Sequence, residues 1–327
     1  MRSRDHPMNS AHGATAPQQS GDTAGWPALP LAAWQDTRDT LHMWTQIVGK
    51  VRLGLMPMIN HWWQVPLYVT ARGLSTSLMP YGNRGLEMEF DFQRHVLDIR
   101  TTDGHAREVA LAPRSVADFY AEVMAALAEV GMSITMVARP IEVEGPIPFA
   151  EDDEHHSYDA EYARRFWESL VQTQRVFTAF RSGFVGKVSP VNFYWGAFDL
   201  ASGRFSGRPA PTHPGGVPNC PDYVQRAAYT HEVSAYGYWP GGGDEGTFYA
   251  YAYPAPRGYA EHTVRPADAH YDPDLAEFLL PYAAVRSADD PDARLTEFLT
   301  STYEIAADLG HWDRQGLEAR ADRTVRG

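Results

Sequence analysis

The feature that most limits the folds open to this chain is a recurrence: twice it runs from a long amphipathic helix through strand-like segments to a second helix. From Trp34 to Leu55, Trp34, Leu41, Trp44, Ile47, Val48, Val51 and Leu55 recur mainly every three, four or seven residues, the period of one helix face. Pro57 should end that helix within a turn. Val65 to Ala71 reads as a nearly continuous apolar strand. "LEMEFDF" alternates strictly, Met88, Phe90 and Phe92 against Glu87, Glu89 and Asp91, and predicts a half-buried strand. Asp103-Gly104 between two strand-like runs predicts a hairpin. Ser115 and Gly131 bracket a helix as cap and stop, and "SITMVARPIEV" reads as a strand leaving it.

The series then repeats. "AEYARRFWESLVQTQRVFTAFRSGF" is a helix and "VNFYWGAFDL" an apolar strand; "AAYTHEVSAYGYW" and "TFYAYAYP" pair through "PGGGDEG". "LAEFLLPYAAV" suits a strand or a short helix, and "PDARLTEFLTSTYEIAADLG" a closing helix. Trp44 stands 22 positions before Pro66, and Trp167 stands 23 before Pro190. The matching spacing suggests an ancient duplication, with convergent helix-on-strand packing as the alternative. The expected fold is α+β: two similarly built halves, each of antiparallel strands with helices on one face, packed as one compact unit. The map is a disordered tail over residues 1–25, an N-terminal half over 26–145, a linker over 146–157, a C-terminal half over 158–312 and a tail over 313–327. The linker is placed where prolines and the acid run "EDDEHH" replace all periodicity.

A chain of 327 residues with 44% hydrophobic content can bury a large core. A net charge of −13 argues against nucleic acid and anionic membranes, which reward clustered Lys and Arg. The lone Cys220 excludes an internal disulfide and a thiolate zinc site. No secretory h-region and no apolar run of spanning length occurs. A soluble, cytoplasmic protein is the expectation.

With "WPALPL", "LHMWTQIVGKVRL", "NHWWQVPLYVTARGL", "GKVSPVNFYWGAFDLASGRFSGRPAPTHPGG", "THEVSAYGYWPGGG" and "FYAYAYP" in view, the chain resembles a bacterial family known only as domain of unknown function 5996, from about Trp26 to Trp312. The resemblance implies a self-contained bacterial protein. It implies no activity, cofactor or catalytic set that could be carried over to particular residues.

Candidate site residues therefore come from the residues alone. In "NHWWQV", Trp62 and Trp63 suit an aromatic wall, and His61 an acid, base or metal ligand; the alternative is that the tryptophans cap the core while His61 bonds a backbone carbonyl. If the halves correspond, Lys187 and Ser189 of "GKVS" face His61 and Trp62 across a groove between halves. Lys187 would bind an acidic group or act as a base, or else be a surface lysine. His231 and Glu232 are candidates for catalysis, although strand parity sends them to opposite faces. His61, His213 and His231 are candidate ligands of a metal ion such as zinc, iron or copper, with no motif spacing in support. Tyr249 and Tyr251 share a strand face opposite Phe248, Ala250 and Ala252, and suit either an organic ligand or packing under a helix. Arg204 and Arg208, in a long Gly- and Pro-rich loop, could clamp an anion. Cys220 has no neighbouring base to activate it.

The expected function is an enzyme acting on a small anionic or aromatic organic molecule in an aromatic-lined groove, using histidine acid/base or metal chemistry. A non-catalytic small-molecule-binding protein and a scaffold subunit of an assembly are the alternatives. Nothing in the sequence reads out the oligomeric state.

Overall fold

The computed structural model describes residues 25–216 and 220–319; most of both expected tails lies outside the described residues. The first half opens with α1 (Leu31–Leu55), followed by β1 (Tyr68–Val69), β2 (Gly73–Ser75), β3 (Met79–Tyr81), β4 (Arg84–Asp91), β5 (Val96–Thr101), β6 (Ala106–Ala110) and α2 (Val116–Glu129). The apolar face of α1 is buried, with Trp34, Leu41, Trp44, Ile47, Val48 and Val51 at 0–1% exposure. Its strands form an antiparallel sheet in the order β1-β2-β4-β5-β6, with β3 also on β4. Ser115 caps α2, its hydroxyl accepting from the Asp118 N–H at 3.1 Å. Replacing it with alanine is expected to lower stability by about 1 kcal/mol in urea unfolding, the usual cost of a lost helix cap.

The second half comprises α3 (Ala160–Ser182), β7 (Asn192–Tyr194), β8 (Asp199–Pro209), α4 (Asp222–Ala228), β9 (His231–Trp239), β10 (Thr247–Tyr253), β11 (His270–Asp272), β12 (Glu277–Pro281), α5 (Tyr282–Arg286), α6 (Pro291–Leu309) and α7 (Arg314–Leu317). Its antiparallel sheet runs β11-β12-β10-β9-β8-β7. Phe177 and Phe180 of α3 meet the Tyr236 ring edge-on at 5.0 and 5.1 Å. One hydrophobic cluster continues through both halves, and the two sheets touch where Leu67 and Phe193 exchange backbone hydrogen bonds of 2.9 Å. The architecture is thus α+β with two antiparallel sheets, as the periodicities indicate.

Local differences from the sequence expectation have identifiable causes. The strand read over Val65–Ala71 contracts to β1, because Val65 N–H is taken by Trp62 O and Thr70 N–H turns back onto Gly73 O. "SITMVARPIEV" does not form a strand. The Gln46 side chain serves instead, accepting from Ile141 N–H at 2.9 Å and donating to its carbonyl at 2.7 Å. The acid run over 151–156 is held to α2: Asp152 is fully buried, and the carbonyls of Asp152 and His155 accept from Ala117 and Val116 at the helix start. The Gly- and Pro-rich stretch expected as one long loop instead prolongs β8 to Pro209 and ends at Asp222, where α4 begins.

Candidate functional site

Strand parity gives the second sheet two unlike faces. Leu200, Tyr236, Tyr238, Phe248 and Phe278 are buried on the helix side. On the other side the registers pair Ala201 with Gly237 and Gly203 with Ala235, and then Gly237 with Tyr249 and Ala235 with Tyr251. Small side chains thus form a floor bordered by tyrosines. Ala201, Ala235, Tyr249, Tyr251 and Leu279 on this face are half-buried. The Tyr249 ring lies directly over Gly237, where a Cβ would come within 2.2 Å of it.

Carboxylates gather at this floor. Tyr249 donates its hydroxyl to Asp199 Oδ2, and Asn192 Nδ2 donates to the Tyr194 hydroxyl at 3.0 Å. Burial pushes Asp199 up to about 7, with the nearby Glu142 charge adding to the effect. Burial and the charges of Asp199 and Asp272 likewise push Glu277 up to about 7, and burial raises Glu142. None of these three carboxylates makes an ion pair with an arginine or lysine among the described residues. Tyr229, at the end of α4, shares a 2.6 Å hydrogen bond with Tyr251. His213 stacks on Tyr229 at 4.8 Å and lies tilted against Tyr253 at 4.9 Å.

A second cluster sits farther along the same face. His61 and Trp62 both adopt left-handed backbone angles, φ 59° and 60°, which β-carbon sterics make uncommon. The His61 ring is held by the Ala228 carbonyl, 2.6 Å from Nδ1, and by Lys187 Nζ, 2.7 Å from Nε2. A carbonyl requires a donor, so Nδ1 carries the proton and Nε2 accepts from Lys187. The rings of Phe205, Trp63 and His231 lie 4.7, 5.1 and 5.7 Å from that of His61. Burial, then the Lys187 and His231 charges, lower the His61 pKa, although the Ala228 bond opposes them. Burial also lowers that of Lys187. From Phe205, beside Lys187, to Ala201 on the floor is four strand residues, about 13 Å. Small ligands would engage one cluster or the other.

The remaining candidates are placed elsewhere. Arg204 points to the helix side, its guanidinium 3.5, 4.4 and 5.2 Å from the rings of Phe180, Tyr303 and Phe184, and it donates to the Phe180 carbonyl. Glu232 also leaves the His231 face and pairs with Arg208 at 2.6 Å. Trp62 stands 6.1 Å from Tyr223 of α4, while Trp63 lies against His61. His61 and His231 come together, whereas His213 belongs to the tyrosine cluster. Among the described residues no three His, Cys, Asp or Glu side chains gather as a metal ion would need. Cys220 is buried beside Gln225, at 3.4 Å, and burial raises its thiol pKa. A cavity of about 230 Å³ between Pro27 and α3 has Glu168 as its sole ionisable lining residue and carries no comparable constellation.

Asp199, Glu277, Glu142 and Tyr194 are absent from the sequence-derived candidates. A signal for two of them exists: Asp199 and Glu277 are single charges inside apolar strand segments, "FDL" and "EFLLP", at positions whose parity matches Ala201 and Leu279.

No helix among the described residues is long and apolar enough to cross a membrane. No curated protein and no solved structure matches the chain. A family model matches residues 26–319, nearly everything described above, and the chain belongs to that family, the family of unknown function DUF5996.

Proposed function

We propose that this protein is an acid–base enzyme acting on a small amine-bearing organic molecule, bound against the Asp199, Glu277, Tyr249 and Tyr251 cluster of the second sheet. One observation carries the reading: two carboxylates, Asp199 and Glu277, are poised at about 7 beside Tyr229, Tyr249 and Tyr251, and neither pairs with an arginine or lysine among the described residues. A group half-ionised near neutral pH can both take and give a proton. An ammonium reaching this cluster would meet carboxylates that no described arginine or lysine pairs, with tyrosine rings beside them. This lining favours a cationic head group over the anionic one that Lys187 and Arg204 suggest in the sequence. The hydroxyls of Tyr194 and Tyr229 supply orientation.

The test compares small amines with the same molecules acetylated at nitrogen, by calorimetry at pH 7 in two buffers of different ionisation enthalpy. The amines should bind with proton exchange. The double variant Asp199→Asn/Glu277→Gln should lose about tenfold or more in affinity, the scale of a lost charge-assisted hydrogen bond. Equal binding of acetylated and free amines, or an unchanged double variant, would refute the assignment.

A further inference from the structure

The chain contains only two lysines, Lys50 and Lys187, against 26 arginines. Arginine supplies positive charge almost everywhere, so the lysines mark places where an ammonium or amine replaces a guanidinium. Lysine differs from arginine in one chemical respect that matters here: it can release its proton and become a nucleophile. Lys50 is a core residue, 5% exposed, with Nζ 5.9 Å above the Trp195 ring. Lys187 is half-buried, reachable from solvent, and makes no ion pair among the described residues. Its Nζ lies 5.3 Å from the centroids of both the Trp63 and Phe205 rings, and 2.7 Å from His61 Nε2, whose unprotonated lone pair accepts from it. The Ala228 carbonyl fixes the tautomer that leaves that lone pair available.

We propose that Lys187 is a carbonyl-capturing amine, which condenses with an aldehyde or ketone borne by a planar apolar small molecule seated against Trp63 and Phe205. His61 Nε2 accepts the proton that the ammonium releases. The neutral Nζ attacks the carbonyl carbon, forming a C–N bond as the carbonyl oxygen gains a proton. The carbinolamine then loses that oxygen as water while nitrogen gives up its remaining proton, leaving a C=N bond. Amine plus carbonyl gives imine plus water, with no oxidation or reduction. His61 is a positioning and proton-accepting residue in this scheme. Its left-handed backbone is consistent with a ring held where the amine needs it. This site is separate from the carboxylate cluster and does not depend on the amine reading.

The test incubates the full chain with 4-hydroxybenzaldehyde and sodium cyanoborohydride at pH 6.5, then maps the reduced adducts by mass spectrometry. Lys187 should carry the dominant adduct, ahead of the α-amino group, an intrinsically more reactive amine with a pKa of about 7.7–8.0. Lys187→Arg should abolish it while the α-amino background stays. His61→Asn keeps a residue type tolerant of left-handed φ. It should slow trapping about a hundredfold at pH 6.5, the scale of one general-base contribution, and move the pH profile of trapping upward. Labelling spread over the α-amino group and Lys50 with Lys187 no faster would overturn the proposal, as would a His61→Asn pH profile identical to that of the parent.

Discussion

Replacing Asp199 with asparagine is expected to stabilise the protein by about 2–4 kcal/mol at pH 8 and to leave its stability at pH 4 nearly unchanged. In the folded protein burial moves this carboxyl from 3.8 to about 7. Below about pH 4 it is protonated in folded and unfolded chains alike, so it costs nothing. Between about pH 4 and 7 the unfolded chain ionises while the folded one holds its proton, and stability falls as pH rises. Above about pH 7 both are ionised, and the whole cost of an unpaired buried charge remains. At about 1.4 kcal/mol per unit, a shift of roughly three units sets an upper bound near 4 kcal/mol. Asparagine keeps an oxygen to accept from the Tyr249 hydroxyl, so the geometry survives while the charge does not. Urea midpoints of both proteins at pH 4, 6 and 8 measure the difference. A variant less stable at pH 8 would mean that the folded protein compensates the Asp199 charge. A stabilising loss would be the signature of a carboxylate retained for function at the expense of stability.

Gly49→Ala is expected to destabilise by about 2 kcal/mol or more, although the same change in an isolated helix would be favourable by about 1 kcal/mol. Here α1 meets the Trp195 indole so closely that a Cβ on Gly49 would stand 2.3–2.4 Å from three ring atoms. The indole is 2% exposed and cannot swing aside, since its Nε1–H donates to the Val65 carbonyl at 2.8 Å. That bond ties the segment carrying His61, Trp62 and Trp63 to the turn before β8, so a displaced Trp195 would also disturb the Lys187 site. Gly54, in the same helix, provides the contrast: its nearest neighbour would be the Thr135 carbonyl at 3.6 Å, an ordinary contact. Gly54→Ala should therefore stabilise by up to about 1 kcal/mol. Thermal melts of the two variants should move in opposite directions. Equal shifts would show that packing at Trp195 is not what selects Gly49.

Much of the scaffold is legible in the order of residues alone. The 3.6-residue period around Trp34, Trp44 and Val51 locates α1, and the cap and stop at Ser115 and Gly131 bracket α2. Alternation sets Phe248 and Ala250 against Tyr249 and Tyr251. The same alternation sends Arg204 to the helix side, although its setting in a Gly- and Pro-rich stretch suggests an exposed loop. Polar sequence is a poorer guide: Glu89 and Asp91 alternate with apolar residues as a solvated face would, yet both are buried. Glu89 pairs with Arg72 and Arg100 at 2.5 and 2.8 Å, and Asp91 with Arg72 at 3.3 Å.

What the sequence by itself determined was the local part: which stretches are helical, which alternate, and which side chains share a face of one strand. Those follow from backbone period and steric preference, which act over a few residues. Only the tertiary structure decided which faces meet. Asp199, Tyr249 and Glu277 converge because β8, β9, β10 and β12 are neighbours in one sheet, and their proton affinities move because burial removes water from three nearby acids. His61 reaches Lys187 because α4 offers the Ala228 carbonyl on one side while β8 holds Lys187 on the other. Long-range adjacency and desolvation depend on how distant segments pack together, and no local pattern encodes them.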